Sequence, residues 1–514
     1  MGRAPTLAAA VKRPLREESG PFVADSVAAS SRGSGDGLQR VVGGFDELAP
    51  CLLSSSVRTL PIGEEVAIPG DTVARLPKPH LLRVLGAVFG IAVAIGSMIG
   101  AGILRAPGSV AQAVPSLGWI FGLWGFAILH ALLSANVYAE LFTSVPSAGG
   151  PYVPVRRAFG DLPALLIGAS DALNNAASSA ALALAGVDFL ALTWPVLGTH
   201  PVSVAIAIIG ALFAINALGV REGRAAQIAM TAIKIGILIA IAACALLLPS
   251  APKGISAALP AVGAAGVIAA YQLISGAFSG WGNAVYFVEE DVAPSRNIPL
   301  ALAGSIIGVG ILYLLINAAL LRVSAVAGLA SQQVPVGTLI GRLAGDLGPA
   351  LLGLTGFILI LGCCHGGLMA APRIIYGMSR DRLLPTFAAQ VSRGGTPQIG
   401  LLIISLGSAA MAVTGSFEAA FRVVATTGVA MAFVLDLALF TLRLREPDLR
   451  RPFPAFGYPW LPCAALILDL GFFVSILWFD PLSGVITAGT LGAVSVIWLT
   501  VRKTTSRRRA PQPL

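Results

Sequence analysis

Lys234 stands inside the apolar run TAIKIGILIA, far from either end of a segment long enough to cross a membrane. A charge at that depth costs at least about 2.5 kcal/mol, so a lysine there must find partners or lose its proton. Carbonyl oxygens freed from an interrupted helix suit an ammonium, and the chain has two places where they are expected. In GIAVAIGSMIGAGILRAPGSVAQA, Gly90 to Ala113, glycines at 96, 100 and 102 occupy the centre of an apolar segment. In AAYQLISGAFSGWGNAVYFVEE, Gly276, Ser279, Gly280 and Gly282 cluster in the same way. Each glycine costs a helix interior about 0.8–1 kcal/mol relative to alanine, and an unpaired backbone group in hydrocarbon costs several more. A break in the first segment leaves free amides around Ala101, Gly102 and Ile103, at the positive end of a helix dipole, where a carboxylate belongs. Free carbonyls are expected near Ala94 and Ile95, and near Ser275, Gly276 and Ala277, where an ammonium belongs. With Gly100 letting the backbone come close, these groups make a receptor for an α-amino acid that needs no charged side chain. Gly96 and Gly100 also have the small-xxx-small spacing of packed membrane helices, which is the competing reading. Two breaks five segments apart favour the site, because paired interrupted helices mark substrate sites in membrane carriers.

The elements that position these groups are membrane spans. Of 514 residues, 56% are hydrophobic and 11% charged, against about 25% charged in an ordinary soluble domain. From Val84 the chain offers twelve apolar segments of spanning length, at 84–113, 117–145, 162–194, 202–219, 225–248, 263–288, 299–323, 347–376, 398–414, 419–441, 459–478 and 482–501. Alternate connections are rich in arginine: Arg156 and Arg157; Arg221 and Arg224; Arg296; Arg380, Arg382 and Arg393; Arg443, Arg445, Arg450 and Arg451. The other connections hold little beyond Lys253 and Arg342. The positive-inside rule then places both termini in the cytosol and explains the net charge of +9 without a nucleic-acid partner. Residues 1–80 lack periodicity and read as a disordered cytosolic tail without a cleavable signal; 81–503 form the twelve-helix domain, and 504–514 a short basic cytosolic tail. The five cysteines, Cys51, Cys244, Cys363, Cys364 and Cys463, have no metal-ligand spacing, so neither a metal site nor a disulfide framework is expected.

At the glycine clusters the sequence resembles the amino acid–polyamine–organocation (APC) transporters, and is similar to bacterial amino acid permeases and L-type amino acid transporters. The resemblance is carried by IGSMIGAGILRAPG, YAELFTSVPSAGGPYVPVRRAFG, GWGNAVYFVEEDVAPSRNIPLAL, RIIYGMSRDRLLP and LREPDLRRPFPAFGYPWLP, in order along the chain. Ala101 stands where a serine is common in the family. The resemblance implies an all-α integral membrane protein with a LeuT-like fold. Helices one to five and six to ten would be inverted repeats, followed by two C-terminal helices, and a bundle would rock about a central substrate.

It also implies roles for side chains. In DALNNAASSA, Asn174, Asn175 and Ser179 match pocket-lining positions, although hydrogen bonding between helices would explain them equally. Asp171, about one turn nearer the cytosol, is an ionisable group inside a span and would favour a cationic side chain if it faces the cavity. Phe278 and Trp281 are candidates for an aromatic gate, with Phe278 preferred, and simple packing is the alternative. His365 in GCCHGG matches a pocket-facing position, with packing again the alternative. In sodium-independent relatives a lysine at the place of Lys234 ties the first helix to the eighth where other members bind sodium.

The expected function is sodium-independent secondary transport of amino acids across the cell membrane, as an exchanger. A proton-coupled amino acid or polyamine symporter, or a nutrient sensor on the same fold, is the alternative. No enzyme is expected, since HExxH, GxSxG and GxxxxGK[ST] are all missing. No cofactor is implied, and the expected partners are a small amino acid and the lipid bilayer. A disulfide-linked heavy chain is not expected, because the loop PVLGTHP has no cysteine. The sequence does not set the oligomeric state.

Overall fold

The computed structural model describes residues 81–250, 261–414, 417–482 and scattered positions from there to 492. The expected tails at 1–80 and 504–514, and nearly all of the expected span at 482–501, lie outside the described residues. Within hydrocarbon a helix satisfies its own backbone, and the described chain is helical almost throughout. The elements run α1 (Ala87–Met98), α2 (Gly102–Ala113), α3 (Leu117–Ser144), α4 (Tyr152–Phe159), α5 (Asp161–Thr193), α6 (Pro201–Leu218), α7 (Val220–Leu247) and α8 (Ala264–Phe278). After a 3-10 segment, Trp281–Phe287, come α9 (Pro294–Ala330), α10 (Pro335–Ala344), α11 (Gly348–Ala370), α12 (Pro372–Arg380), α13 (Gln398–Ala412), α14 (Phe417–Arg445) and α15 (Trp460–Phe479). Every expected span from 84–113 to 459–478 overlies described helix. Eight stretches among the described residues are long and apolar enough to cross a bilayer, and the bent pair of α1 and α2 makes a ninth if counted as one broken span.

The helices sort their faces as a lipid solvent demands. On α7 the buried residues Gly223, Gln227, Thr231, Lys234 and Leu238 recur at steps of three and four, while Ile233 and Ile239 are exposed on the other side. Polar groups face the bundle and apolar ones face outward. The long α5 is central, packing on α11, α14, α13, α4 and α6. The apolar core divides at the α1–α2 break. Phe89 and Val93 join a cluster with Phe287, whereas Ile99 and Ile103 join another with Phe278 and Tyr313.

Ion pairs and backbone bonds tie elements together at the Arg-rich end. Arg373 of α12 lies bidentate on Glu290, at 2.8 and 2.9 Å, with both side chains buried and the guanidinium 4.7 Å from the Phe287 ring. The chain before α1 is bonded to the same loop, Leu85 N–H donating to the Glu290 carbonyl at 3.1 Å and Val292 N–H to the Leu85 carbonyl at 2.9 Å. Arg380 adds a pair with Glu289 at 2.7 Å. Removing one partner of a buried ion pair costs about 3–5 kcal/mol, because the other charge is left uncompensated. Glu290→Gln is therefore expected to lower the unfolding midpoint, and Glu290→Gln with Arg373→Met to regain most of the loss. Thermal unfolding of the purified variants checks both, and a single variant as stable as the parent would deny the pair its role.

Candidate functional site

α1 ends at Met98 and α2 starts at Gly102, with a bend of 48° between them. Among the described residues, the amides from Gly100 to Ile103 donate to no backbone carbonyl, whereas Leu104 N–H returns to the Ala101 carbonyl at 3.1 Å. α8 stops at Phe278, and Gly280 turns the chain with φ 104°, a left-handed conformation that glycine adopts without strain. The two breaks touch. A Cβ on Gly280 would lie 2.8 Å from Ser97 Cβ, and one on Gly102 would lie 3.0 Å from Ala277 Cα. Asn283 Nδ2 donates to Ser97 Oγ at 2.8 Å, which ties the 3-10 segment to α1.

Lys234 is fully buried, and its ammonium donates to the carbonyls of Gly96 at 2.6 Å and Ile99 at 2.8 Å, with Cys363 Sγ of α11 at 3.4 Å. Cys363 Sγ also approaches both carbonyls, at 3.2 and 3.1 Å. Three elements, α1, α7 and α11, therefore meet on one lysine amine at the end of the inner half-helix, where the dipole is negative. Gly362 makes room: a Cβ there would fall 2.6 Å from Lys234 Cε.

Around the breaks α5 presents its polar stretch. Asn174 Nδ2 donates to the Val424 carbonyl at 2.9 Å and Thr427 Oγ1 at 2.8 Å, joining α5 to α14. Asn175 Nδ2 and Tyr286 O–H both donate to Asp171 Oδ1, at 2.9 and 2.7 Å, while the buried Asp171 Oδ2 has no hydrogen-bond partner among the described residues. Ser179 is buried beside Gly367 of α11, and its carbonyl accepts from Cys364 Sγ at 3.7 Å. His365 is buried and turned to α7, where its Nδ1 donates to Gln227 Oε1 at 2.7 Å. Phe278 packs on Trp124 and Tyr313, with ring centroids 6.0 and 5.4 Å away, and half-buried Trp281 packs on Tyr138 at 4.8 Å.

Residues 86–501 match the family model described as amino acid permease. The chain belongs to the amino acid permease family, within the APC transporters. It is 29% identical to a branched-chain amino acid permease of Bacillus subtilis, over 76% of this chain and 89% of that protein. It is 30% identical to an uncharacterized transporter of Mycobacterium tuberculosis, over 84% and 93% of the two. It is 27% identical to the human b(0,+)-type amino acid transporter 1, over 72% and 78%. The permease is thus an integral membrane transporter of amino acids and not an enzyme.

Within the permease the expected carbonyls need correction. The helix of α1 runs past Ala94, and the Ile95 carbonyl is taken by Ile99 N–H at 3.0 Å, so the oxygens released at the break are those of Gly96, Met98 and Ile99. In α8 the Gly276 carbonyl is taken by Ser279 N–H at 3.2 Å, the Ser275 carbonyl faces Ser279 Oγ at 3.4 Å, and the Ala277 carbonyl accepts from Tyr313 O–H at 3.2 Å. Tyr313 O–H also reaches the Met98 carbonyl at 2.9 Å, so one phenol bridges the two broken helices. Ser97, Tyr313 and Cys363 were not legible as partners. Gln227 and Thr231 were within reach, since they precede Lys234 by seven and three residues and so share its helix face. Thr231 Oγ1 donates to the Ala92 carbonyl at 2.8 Å.

Proposed function

We propose that this permease is a sodium-independent amino acid exchanger that works by alternating access. Twelve spans in a LeuT-like five-plus-five inverted repeat would carry it in the cell membrane, with both termini in the cytosol. The observation that supports this reading is the arrangement at the first break. Lys234 Nζ donates to the Gly96 and Ile99 carbonyls, while among the described residues the amides from Gly100 to Ile103 have no backbone acceptor. Fixed positive charge beside free carbonyls removes the need for a sodium ion, and free amides at a helix start receive a carboxylate.

In this proposal Ala101, Gly102 and Ile103 read the substrate carboxylate. Asn174, Asn175 and Ser179 of α5 bound the side-chain space, with Asp171 beneath them and Phe278 or Trp281 above as gate. His365 acts from behind through Gln227. The Bacillus relative, a branched-chain amino acid permease, and the human b(0,+)-type amino acid transporter 1 support amino acids as the substrate class. The test is a thermal-shift screen of the purified protein with amino acids and their carboxamides. A ligand at 100 times its dissociation constant adds about 2.7 kcal/mol of stability. A stabilising amino acid whose carboxamide gives no shift is expected; equal shifts would mean that no carboxylate is read.

A further inference from the structure

Away from the breaks, four helices bring titratable side chains to one point near mid-span. His130 of α3, Tyr271 of α8, Asp436 of α14 and Asp469 of α15 come from sequence positions up to 339 apart. His130 Nε2 lies 3.1 Å from Asp469 Oδ1, and its Nδ1 is hydrogen-bonded to the Tyr271 hydroxyl. Ser134, one turn along α3, approaches Asp469 Oδ2 at 3.5 Å. Asp436 is fully buried on α14, which packs on both α15 and α3 beside Asp469, and neither of its carboxyl oxygens has a hydrogen-bond partner among the described residues. His130 is 8% and Asp469 4% exposed, so both are buried, while Tyr271 is half-buried at the edge of the group.

Its charges do not balance. Two carboxylates face one imidazole, and even an imidazolium leaves a net negative charge in a low-dielectric interior. The neighbours bring no relief: Tyr138 of α3 packs on Phe142 and Trp281 and brings no positive charge, and Asp171 of α5 is a further carboxyl, itself held by Tyr286 of the 3-10 segment. Glu140, further along α3, is already matched by Arg443 and Arg451. Two carboxyl groups in contact hydrogen-bond to one another only when one carries a proton, and like charges that close are not both retained.

We propose that His130, Tyr271, Asp436 and Asp469 form a proton-binding site. One exchangeable proton is shared by the two carboxyls and withdrawn toward His130 Nε2, and its occupancy sets how firmly the broken helix element α8 is held to α3, α14 and α15. Protonated, the pair keeps a single negative charge and is hydrogen-bonded, and the Asp469–His130–Tyr271 chain anchors α8. Deprotonated, the two carboxylates repel and the anchor loosens. A proton is then a ligand of the transport cycle, coupled through Tyr271 to the helix that carries the second break.

The coupling rests on the transporter reading above; the proton binding does not, and two measurements keep them apart. The first is the infrared difference spectrum of the purified permease in lipid between about pH 5 and about pH 8, a range in which imidazole also titrates. A protonated-carboxyl band that titrates in the parent and is lost in Asp436→Asn or Asp469→Asn is expected, whether or not any amino acid is moved. The absence of such a band, or its persistence in both variants, overturns the site. The second is exchange in proteoliposomes over the same range. The parent is expected to change rate at least about threefold, and Asp436→Asn, which mimics the protonated acid, to vary by less than about twofold. A variant that keeps the parent's pH profile overturns the coupling.

Discussion

Gly102→Val is expected to abolish amino acid uptake while the protein still reaches the membrane. The structural reason is a contact between backbones. An added Cβ at Gly102 would stand 3.0 Å from Ala277 Cα and 3.1 Å from its Cβ, and a main-chain atom cannot swing aside as a flexible side chain would. Overpacking of this kind costs about 1–3 kcal/mol, and the γ-methyls of valine add to it where the free amides of α2 begin. The two broken helix elements, α2 and α8, would be pushed apart at the place where the proposal puts the carboxylate. Gly102→Ala needs only a few tenths of an ångström from its neighbour. It is expected to keep part of the uptake and to bind the acid more weakly than the parent does. Uptake in whole cells and thermal-shift titration of both variants decide the matter. Near-parental affinity in Gly102→Val would remove the amides as the site.

The features that were legible in the sequence are those in which one residue type is out of place in a membrane. Clustered glycines announced both breaks, and a lone lysine between apolar stretches announced a buried cation. The exact oxygens were not legible, because glycine at 96 is tolerated inside a helix and α1 continues to Met98, closing Ile95 with the Ile99 amide. Which way a polar side chain turns was also hidden. His365 faces Gln227 and Asn174 reaches Val424 and Thr427 on α14, since the rotation of each helix is set by packing with helices far away in sequence. The group at His130, Asp436 and Asp469 is the extreme case. Each residue looks like an isolated ionisable group within its own span, and only the assembled bundle shows that they meet. Phe278 shows a further limit: its stacking with Trp124 and Tyr313, residues far away in sequence, is not visible in the stretch beside the break.

Lys234→Ala is expected to slow exchange by at least about tenfold while altering substrate affinity much less. The ammonium reaches Gly96 and Ile99 on α1 and Cys363 on α11, and no group in the proposed carboxylate site. Its removal leaves the two carbonyls to share the weak S–H donor of Cys363, so that at least one buried group is left unpaired at about 1–3 kcal/mol, and about 1.4 kcal/mol is already a factor of ten in rate. The loss falls on whichever conformations of the cycle hold α1 against α7 and α11, so it appears in the rate of translocation and not in binding to the amides of α2. Gly362→Ala reaches the same link from the other side. Its Cβ would press on Lys234 Cε at 2.6 Å, and a smaller defect of the same kind is expected. The comparison to make is exchange in proteoliposomes, with and without sodium, beside ligand binding measured by thermal shift. A parent that requires sodium would contradict the idea that a lysine fills the place of the ion. An alanine variant with unaltered exchange would show that the three hydrogen-bonded contacts of Lys234 hold nothing that the transport cycle uses.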